Sequence, residues 1–185
     1  MITNKTIRGI FARDVEKVSR QKFADCYQCG TCAAGCPVVG YMDLLPSQVM
    51  RAVQLGQIDK VLSCKTIWLC ASCETCTTRC PKELDVARIM DRLREMSLKQ
   101  GKVHADMKDI ATFHKVFLQT IKHGGKLFEA GMIGAYKMLR PRHLFEDLVS
   151  GLKMGLNGKV KPFPHMVKDR AAIKKIFKRS KKAEL

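Results

Sequence analysis

Eight of the nine cysteines fall into two sets of one spacing. Cys26, Cys29, Cys32 and Cys36 are followed by Pro37, and Cys70, Cys73, Cys76 and Cys80 by Pro81. Both sets read C-x2-C-x2-C-x3-C-P. Thiolates are soft ligands, and three of them two residues apart let one tightly curled loop put sulfurs on three corners of a cube. This is the spacing that ligates cubane 4Fe–4S clusters. Zinc is the competing chemistry, but its sites pair C-x2-C knuckles across a longer stretch. Two identical copies in 185 residues point to two 4Fe–4S clusters.

In two-cluster ferredoxins with this run, the fourth cysteine ligates the other cluster. On that pattern Cys26, Cys29, Cys32 and Cys80 hold one cluster, and Cys70, Cys73, Cys76 and Cys36 the second. The crossing makes the clusters near neighbours between which electrons can pass. Gly30, Thr31, Ala33, Ala34 and Gly35 in one loop, and Ala71, Ser72, Thr75, Thr77 and Thr78 in the other, are mostly small. Small side chains let backbone N–H groups approach cluster sulfurs and help set the potential. Pro37 and Pro81 fix φ where the chain leaves each loop. Glu74 and Arg79 put opposite charges beside the second loop, so the sequence does not order the two potentials. Tyr27 and Trp68 flank the cysteines and are expected to shield the clusters from water. Cys64 is read as a small buried hydrophobe, with a reactive or tuning role open.

The elements that position these loops read as helices. Leu45, Val49, Ala52, Val53 and Ile58 suit a helix opened by Pro46 and closed by Gly56, with a second short piece over Asp59–Ser63. Val86, Ile89, Met90, Leu93 and Met96 recur at three and four, giving an amphipathic helix that ends near Gly101. Val103, Met107, Ile110, Ala111, Phe117, Leu118 and Ile121 repeat the pattern up to Gly124. Leu127–Leu139 and Leu144–Met154 are expected helices divided by Pro141, Gly155–Pro164 a loop, and Met166–Lys178 a last helix. No stretch alternates for long with period two. The expected fold is all-α: a helical dicluster 4Fe–4S domain over 1–100 and a basic helical extension for subunit docking over 101–185.

Composition narrows the function. The net charge is +17, with 15 Lys and Arg against 10 Asp and Glu in residues 1–100 and 19 against 7 beyond. Two oxidised clusters with their thiolates contribute roughly −2 each. So basic a chain can meet nucleic acid, an anionic membrane or an acidic protein. The run Lys168 to Lys182, interleaved with Ile173, Ile176 and Phe177, is read as a solvated helix whose apolar stripe packs on a neighbour. The chain's aromatics that could stack on bases are few and sit at helical core spacing, which disfavours nucleic acid. His104, His114, His123, His143 and His165 form no ligand-spaced pair and are expected at the surface or at helix ends. No Gly-rich nucleotide loop or serine-nucleophile motif occurs. No apolar stretch approaches the roughly 20 residues of a membrane span. The first 20 residues show no export signature, so the cysteines are expected as thiolates in a cytoplasmic setting.

The run Cys26-Tyr27-Gln28-Cys29-Gly30-Thr31-Cys32, then Gly35-Cys36-Pro37-Val38, Val53-Gln54-Leu55-Gly56 and Trp68-Leu69-Cys70 through Cys80-Pro81, closely resembles the C-type iron–sulfur subunit of heterodisulfide reductase over about residues 20–100. The same helical dicluster domain occurs in iron–sulfur subunits of fumarate reductase and glycerol-3-phosphate dehydrogenase. The resemblance implies a relay protein without catalytic residues that passes electrons from a flavin-bearing subunit to a catalytic one. The catalytic subunit, with a CCG-type cysteine motif, reduces the mixed disulfide of coenzyme M and coenzyme B in methanogenesis. A nickel–iron hydrogenase or formate dehydrogenase completes such a complex. This chain has no adjacent cysteine pair, so disulfide cleavage is not expected of it. The iron–sulfur subunit of a quinone-linked dehydrogenase is the alternative; the plant-type motif that fumarate reductase adds upstream is not expected before Cys26.

Overall fold

The computed structural model describes residues 22–139 and 169–183, together with Arg13, Val15, Lys153, Asn157 and Val167. All regular structure among the described residues is helical, as the 3.6-residue periodicity of the apolar positions requires. The chain divides into two units, 1–108 and 109–185. No helix of the described residues is long and apolar enough to cross a membrane.

In the first unit each cysteine loop contains a single-turn helix and is followed by a longer one. The first loop holds α1 (Thr31–Ala34) and leads to α2 (Pro46–Gln54) and α3 (Ile58–Leu62). Then α4 (Thr66–Leu69) enters the second loop, which holds α5 (Thr75–Thr78) and leads to α6 (Val86–Lys99). α1 packs on α2 and α5 on α6, while α1 and α5 pack on each other and bring the loops together. α6 also lies against α3 and α4.

The core is the shared apolar face of these helices. Val49, Met50 and Val53 of α2, Val61 and Leu62 of α3, Ile67 of α4, and Ile89, Met90 and Leu93 of α6 are all essentially inaccessible. Each such side chain stabilises the fold by about 1.5–3 kcal/mol through burial alone. Buried Ser97 donates its hydroxyl to the Leu62 carbonyl at 2.7 Å, so its polar atom is satisfied inside the core.

Local signals set the helix ends. Pro46 occupies the first position of α2, and the Gln48 side chain accepts from the Leu45 N–H at 2.9 Å. Asp85 caps α6 by accepting from the Arg88 N–H at 2.9 Å and also receives the Thr77 hydroxyl at 3.2 Å, fastening α5 to α6. Gly101, at φ +65°, closes α6 while the Lys102 N–H bonds back to the Ser97 carbonyl. Ion pairs from Lys102 to Asp59 and from Lys65 to Asp106 fasten segment 102–107 to the rest of the first unit.

The second unit contains α7 (Lys108–Gly124), α8 (Glu129–Leu139) and α9 (Arg170–Ala183). Phe113 of α7 meets Tyr136 of α8 edge-on with ring centroids 6.0 Å apart. The Val167 N–H bonds to the Gly124 carbonyl, and the Val167 and Ile173 side chains lie against Gly125. On α9, Arg170, Lys174, Lys175, Lys178 and Arg179 are exposed while Ile173 and Phe177 are half-buried. The last helix thus runs Arg170–Ala183 and not Met166–Lys178; the expected helix over 144–154, the loop over 155–164, Pro141, His143 and His165 lie outside the described residues, isolated positions aside.

Candidate iron–sulfur sites

The two cysteine loops are one backbone structure repeated 44 positions apart, Cys26 matching Cys70. Gln28 and Ser72 both take positive φ, as do Gly30 and Glu74, which precede α1 and α5. At these points the chain reverses its curl and carries three cysteines around one hollow. Gly30 adopts φ +79° at no steric cost, whereas Glu74 holds φ +59° against the ordinary preference of a side-chain-bearing residue. Gly35 matters for a different reason: a Cβ there would lie 2.8 Å from the Arg79 guanidinium. The first loop lacks a side chain where the second loop lays one across it.

Two cavities result. One is lined by Cys26, Cys29, Cys32 and Cys80 with Met50 and Leu84 behind them. The other is lined by Cys36, Cys70, Cys73 and Cys76, with Val38, Met42 and Met90 among its apolar walls. Val86 borders both. The fourth cysteine of each loop therefore lines the cavity of the other loop. None of the nine cysteines is in a disulfide; Cys29 and Cys73 are exposed, the other six of the two sets are intermediate, and Cys64 is buried. Among the described residues no three Cys, His, Asp or Glu side chains converge as a single metal ion requires. Four thiols around a mostly apolar hollow fit a group whose iron atoms occupy separate corners.

Hydrogen bonds grade the thiols. The Thr31 hydroxyl donates to Cys29 Sγ at 3.3 Å, and the Thr75 hydroxyl stands 3.5 Å from Cys73 Sγ at the matching position. These hydroxyls, with the backbone N–H groups of the same threonines, hold Cys29 and Cys73 below the ordinary thiol value. Burial pushes Cys32 up to about 11 and raises Cys70 and Cys76. Cys29 and Cys73 ionise more readily than Cys32, Cys70 and Cys76, whose protons iron would displace into solvent, since iron takes thiolates. Gln28 Nε2 adds a bond to Cys26 Sγ at 3.3 Å.

A donor to a ligand sulfur stabilises the more negative, reduced state. Thr75→Val should lower the potential of the adjacent cluster by about 40 mV, the equivalent of roughly 1 kcal/mol for one electron. An anaerobic redox titration showing no shift would remove the hydroxyl from the tuning set.

Tyr27 and Trp68 do not shield the sites as expected. Tyr27 lies against Cys29 but is 59 % exposed and does not line the cavity. Trp68 lines neither cavity; its large apolar indole is buried in the helical core. Buried Cys64 donates to the Val61 carbonyl at 3.1 Å, and burial pushes its thiol up to about 11, the behaviour of an inert core cysteine. Asp43, Gln54 and Arg94, which brace the loops, escape the reading of the sequence. Thr31 and Thr75 were open to it, because each stands two residues after the second cysteine of its motif.

Residues 8–85 match the family model described as a 4Fe-4S dicluster domain. This segment is similar to 4Fe–4S dicluster domains, and its cofactors are two 4Fe–4S clusters. The chain also resembles C-type subunits of heterodisulfide reductase. It is 33% identical over 88 residues to the iron-sulfur protein of this type from the CoB--CoM heterodisulfide reductase of Methanopyrus kandleri, covering 48% of this chain and 46% of that protein. It is 36% identical over 88 residues to the C2 subunit of the H(2)/formate:CoB-CoM heterodisulfide,ferredoxin reductase of Methanococcus maripaludis, covering 48% and 47%. With an iron-sulfur subunit of the CoB--CoM heterodisulfide reductase of Methanocaldococcus jannaschii it shares 32% over 104 residues, or 56% and 55%. The match spans about half the length of these relatives.

Proposed function

We propose that the chain is the electron-relay subunit of a heterodisulfide reductase complex. Cys26, Cys29, Cys32 and Cys80 hold one cluster, and Cys36, Cys70, Cys73 and Cys76 the other. The observation that carries this reading is the crossed pair of four-cysteine cavities sharing Val86 as a wall. Each bound cluster supplies one-electron storage and release.

The chain's own residues supply fixed spacing and an apolar surround. α1 and α5 pack on each other and hold the two loops side by side. Met42 and Met90 on one cavity and Met50 and Leu84 on the other limit water at the sulfurs. In this reading the chain is a relay that is not itself catalytic. Electrons come from a flavin-bearing subunit of the complex. They leave to the catalytic subunit, whose CCG-motif site reduces the disulfide of coenzymes M and B. A nickel–iron hydrogenase or formate dehydrogenase feeds the complex in the cytoplasm. Residues 101–185 serve as the docking extension, and the exposed cations of α9 suit an acidic protein surface.

Anaerobic native purification tests the assignment. A flavoprotein and a protein with the CCG motif should co-elute with the chain, with iron, sulfide and flavin in the same fractions. Co-elution with a quinone-linked dehydrogenase or with nucleic acid would overturn the assigned pathway and leave the clusters in place.

A further inference from the structure

The two halves of the first unit treat their first cysteine alike in geometry and differently in charge. Gln54, the last residue of α2, donates from Nε2 to the Cys26 carbonyl at 2.9 Å. Its Oε1 accepts from Arg51 Nη1 at 3.2 Å, which fixes the direction of the amide. Arg94 of α6 donates from Nη2 to the Cys70 carbonyl at 2.9 Å and from Nε to the Ile67 carbonyl at 2.8 Å. A longer helix thus reaches back to the same backbone atom of each motif, with a neutral amide on one side and a guanidinium on the other.

The guanidinium is well placed to act. Its side chain is only 15 % exposed and is held by two carbonyls, so its field is little screened and does not wander. Asp91 opposes it from 3.5 Å, but that carboxylate is half exposed and also takes the Ser72 hydroxyl. Of the charges on or beside the loops, Arg51, Glu74 and Arg79 are on exposed residues, while half-buried Asp85 is taken up by the Arg88 N–H and the Thr77 hydroxyl. Arg79 of the second loop lies across Gly35 of the first. A fixed cation beside a cluster favours the more negative, reduced state.

We propose that Arg94 makes the cluster at Cys36, Cys70, Cys73 and Cys76 the higher-potential member of the pair, so that an electron entering the chain settles there. This rests on the ligand assignment above. The step balances simply: the cluster at Cys26, Cys29, Cys32 and Cys80 is oxidised by one electron as its neighbour is reduced by one, with no proton or bond exchanged. The relay therefore has a built-in direction.

The test is an anaerobic redox titration of the full chain followed by electron paramagnetic resonance. Cys29→Ser and Cys80→Ser label one wave and Cys73→Ser the other. In the unmutated chain the wave labelled by Cys73→Ser should be the upper one. Arg94→Gln should reduce the equilibrium constant for reducing that site about tenfold, a fall of about 59 mV, and leave the other wave in place. Arg94→Lys, which keeps the charge and loses the fork, should recover most of the shift. The proposal fails if the waves stand in the opposite order, or if Arg94→Lys shifts as far as Arg94→Gln. Should Cys29→Ser and Cys80→Ser disturb different waves, the ligand assignment fails and the proposal with it. Should they disturb the same wave and that wave be the upper, the assignment survives and the proposal alone is overturned.

Discussion

Cys29→Ala and Cys80→Ala should abolish the same paramagnetic signal, although the two residues lie in different motifs. Both line the cavity of Cys26 and Cys32, and neither touches the cavity of Cys70, Cys73 and Cys76. Iron and sulfide should fall to about half in each variant, because one cluster of the dicluster domain is lost and the other kept. Cys36→Ala and Cys73→Ala should together mark the second signal. On the proposed relay function, each loss would interrupt the electron path through the chain in a reconstituted complex, so disulfide reduction should drop by orders of magnitude while flavin and hydrogen chemistry upstream continue. Were each motif to ligate its own cluster, Cys80→Ala would instead erase the signal marked by Cys73→Ala. That pairing would overturn the crossed assignment.

The candidate site was legible in the sequence where covalent spacing dictates geometry. Three cysteines at two-residue steps can reach only a common hollow, and small neighbours such as Gly30 and Ala33 let the loop curl. The helix periodicity of Val86, Ile89, Met90 and Leu93 likewise permits one face only. The residues that brace these loops carry no such mark. Gln54 reaches Cys26 across 28 positions and Arg94 reaches Cys70 across 24, in both cases through a backbone carbonyl. A carbonyl looks the same beneath every side chain, so no residue type at the receiving end announces the contact. Trp68 misled for a related reason. Adjacency to Cys70 places it near the loop, but the α4 turn points its indole into the core.

Asp43→Ala should destabilise the first unit by about 3 kcal/mol, lowering its anaerobic melting midpoint by about 15 °C. In the sequence this aspartate is an ordinary turn residue between Met42 and Leu44. In the structure it ties the exit of the first loop to the entry of the second. Its Oδ2 accepts from the Lys65 N–H at 2.9 Å, and its Oδ1 from the Thr66 and Leu44 N–H groups, both at 3.0 Å. The Thr66 hydroxyl stands 2.8 Å from the same Oδ1 and 2.6 Å from the Leu44 carbonyl, between which its single proton is shared. Thr66 is fully buried, so alanine at 43 leaves groups beside it with no water to turn to. Burial pushes the Asp43 carboxyl up, but the bonds from Lys65 and Thr66 outweigh it and hold it below the ordinary range. The sign of the pH dependence follows. The unfolded chain takes up this proton first, so the contribution is complete above the ordinary carboxyl value near 3.9 and is lost as pH falls through the lower folded value. Asp43→Asn keeps one acceptor oxygen but sets an amide donor toward the Lys65 N–H, so it should melt lower than the parent at neutral pH and lose part of the acid dependence. Both clusters should be shed faster in Asp43→Ala, because the segment from Cys36 to Cys70 loses its cross-tie. A variant melting within about 2 °C of the parent, with unchanged cluster retention, would show that Asp43 is only a surface cap.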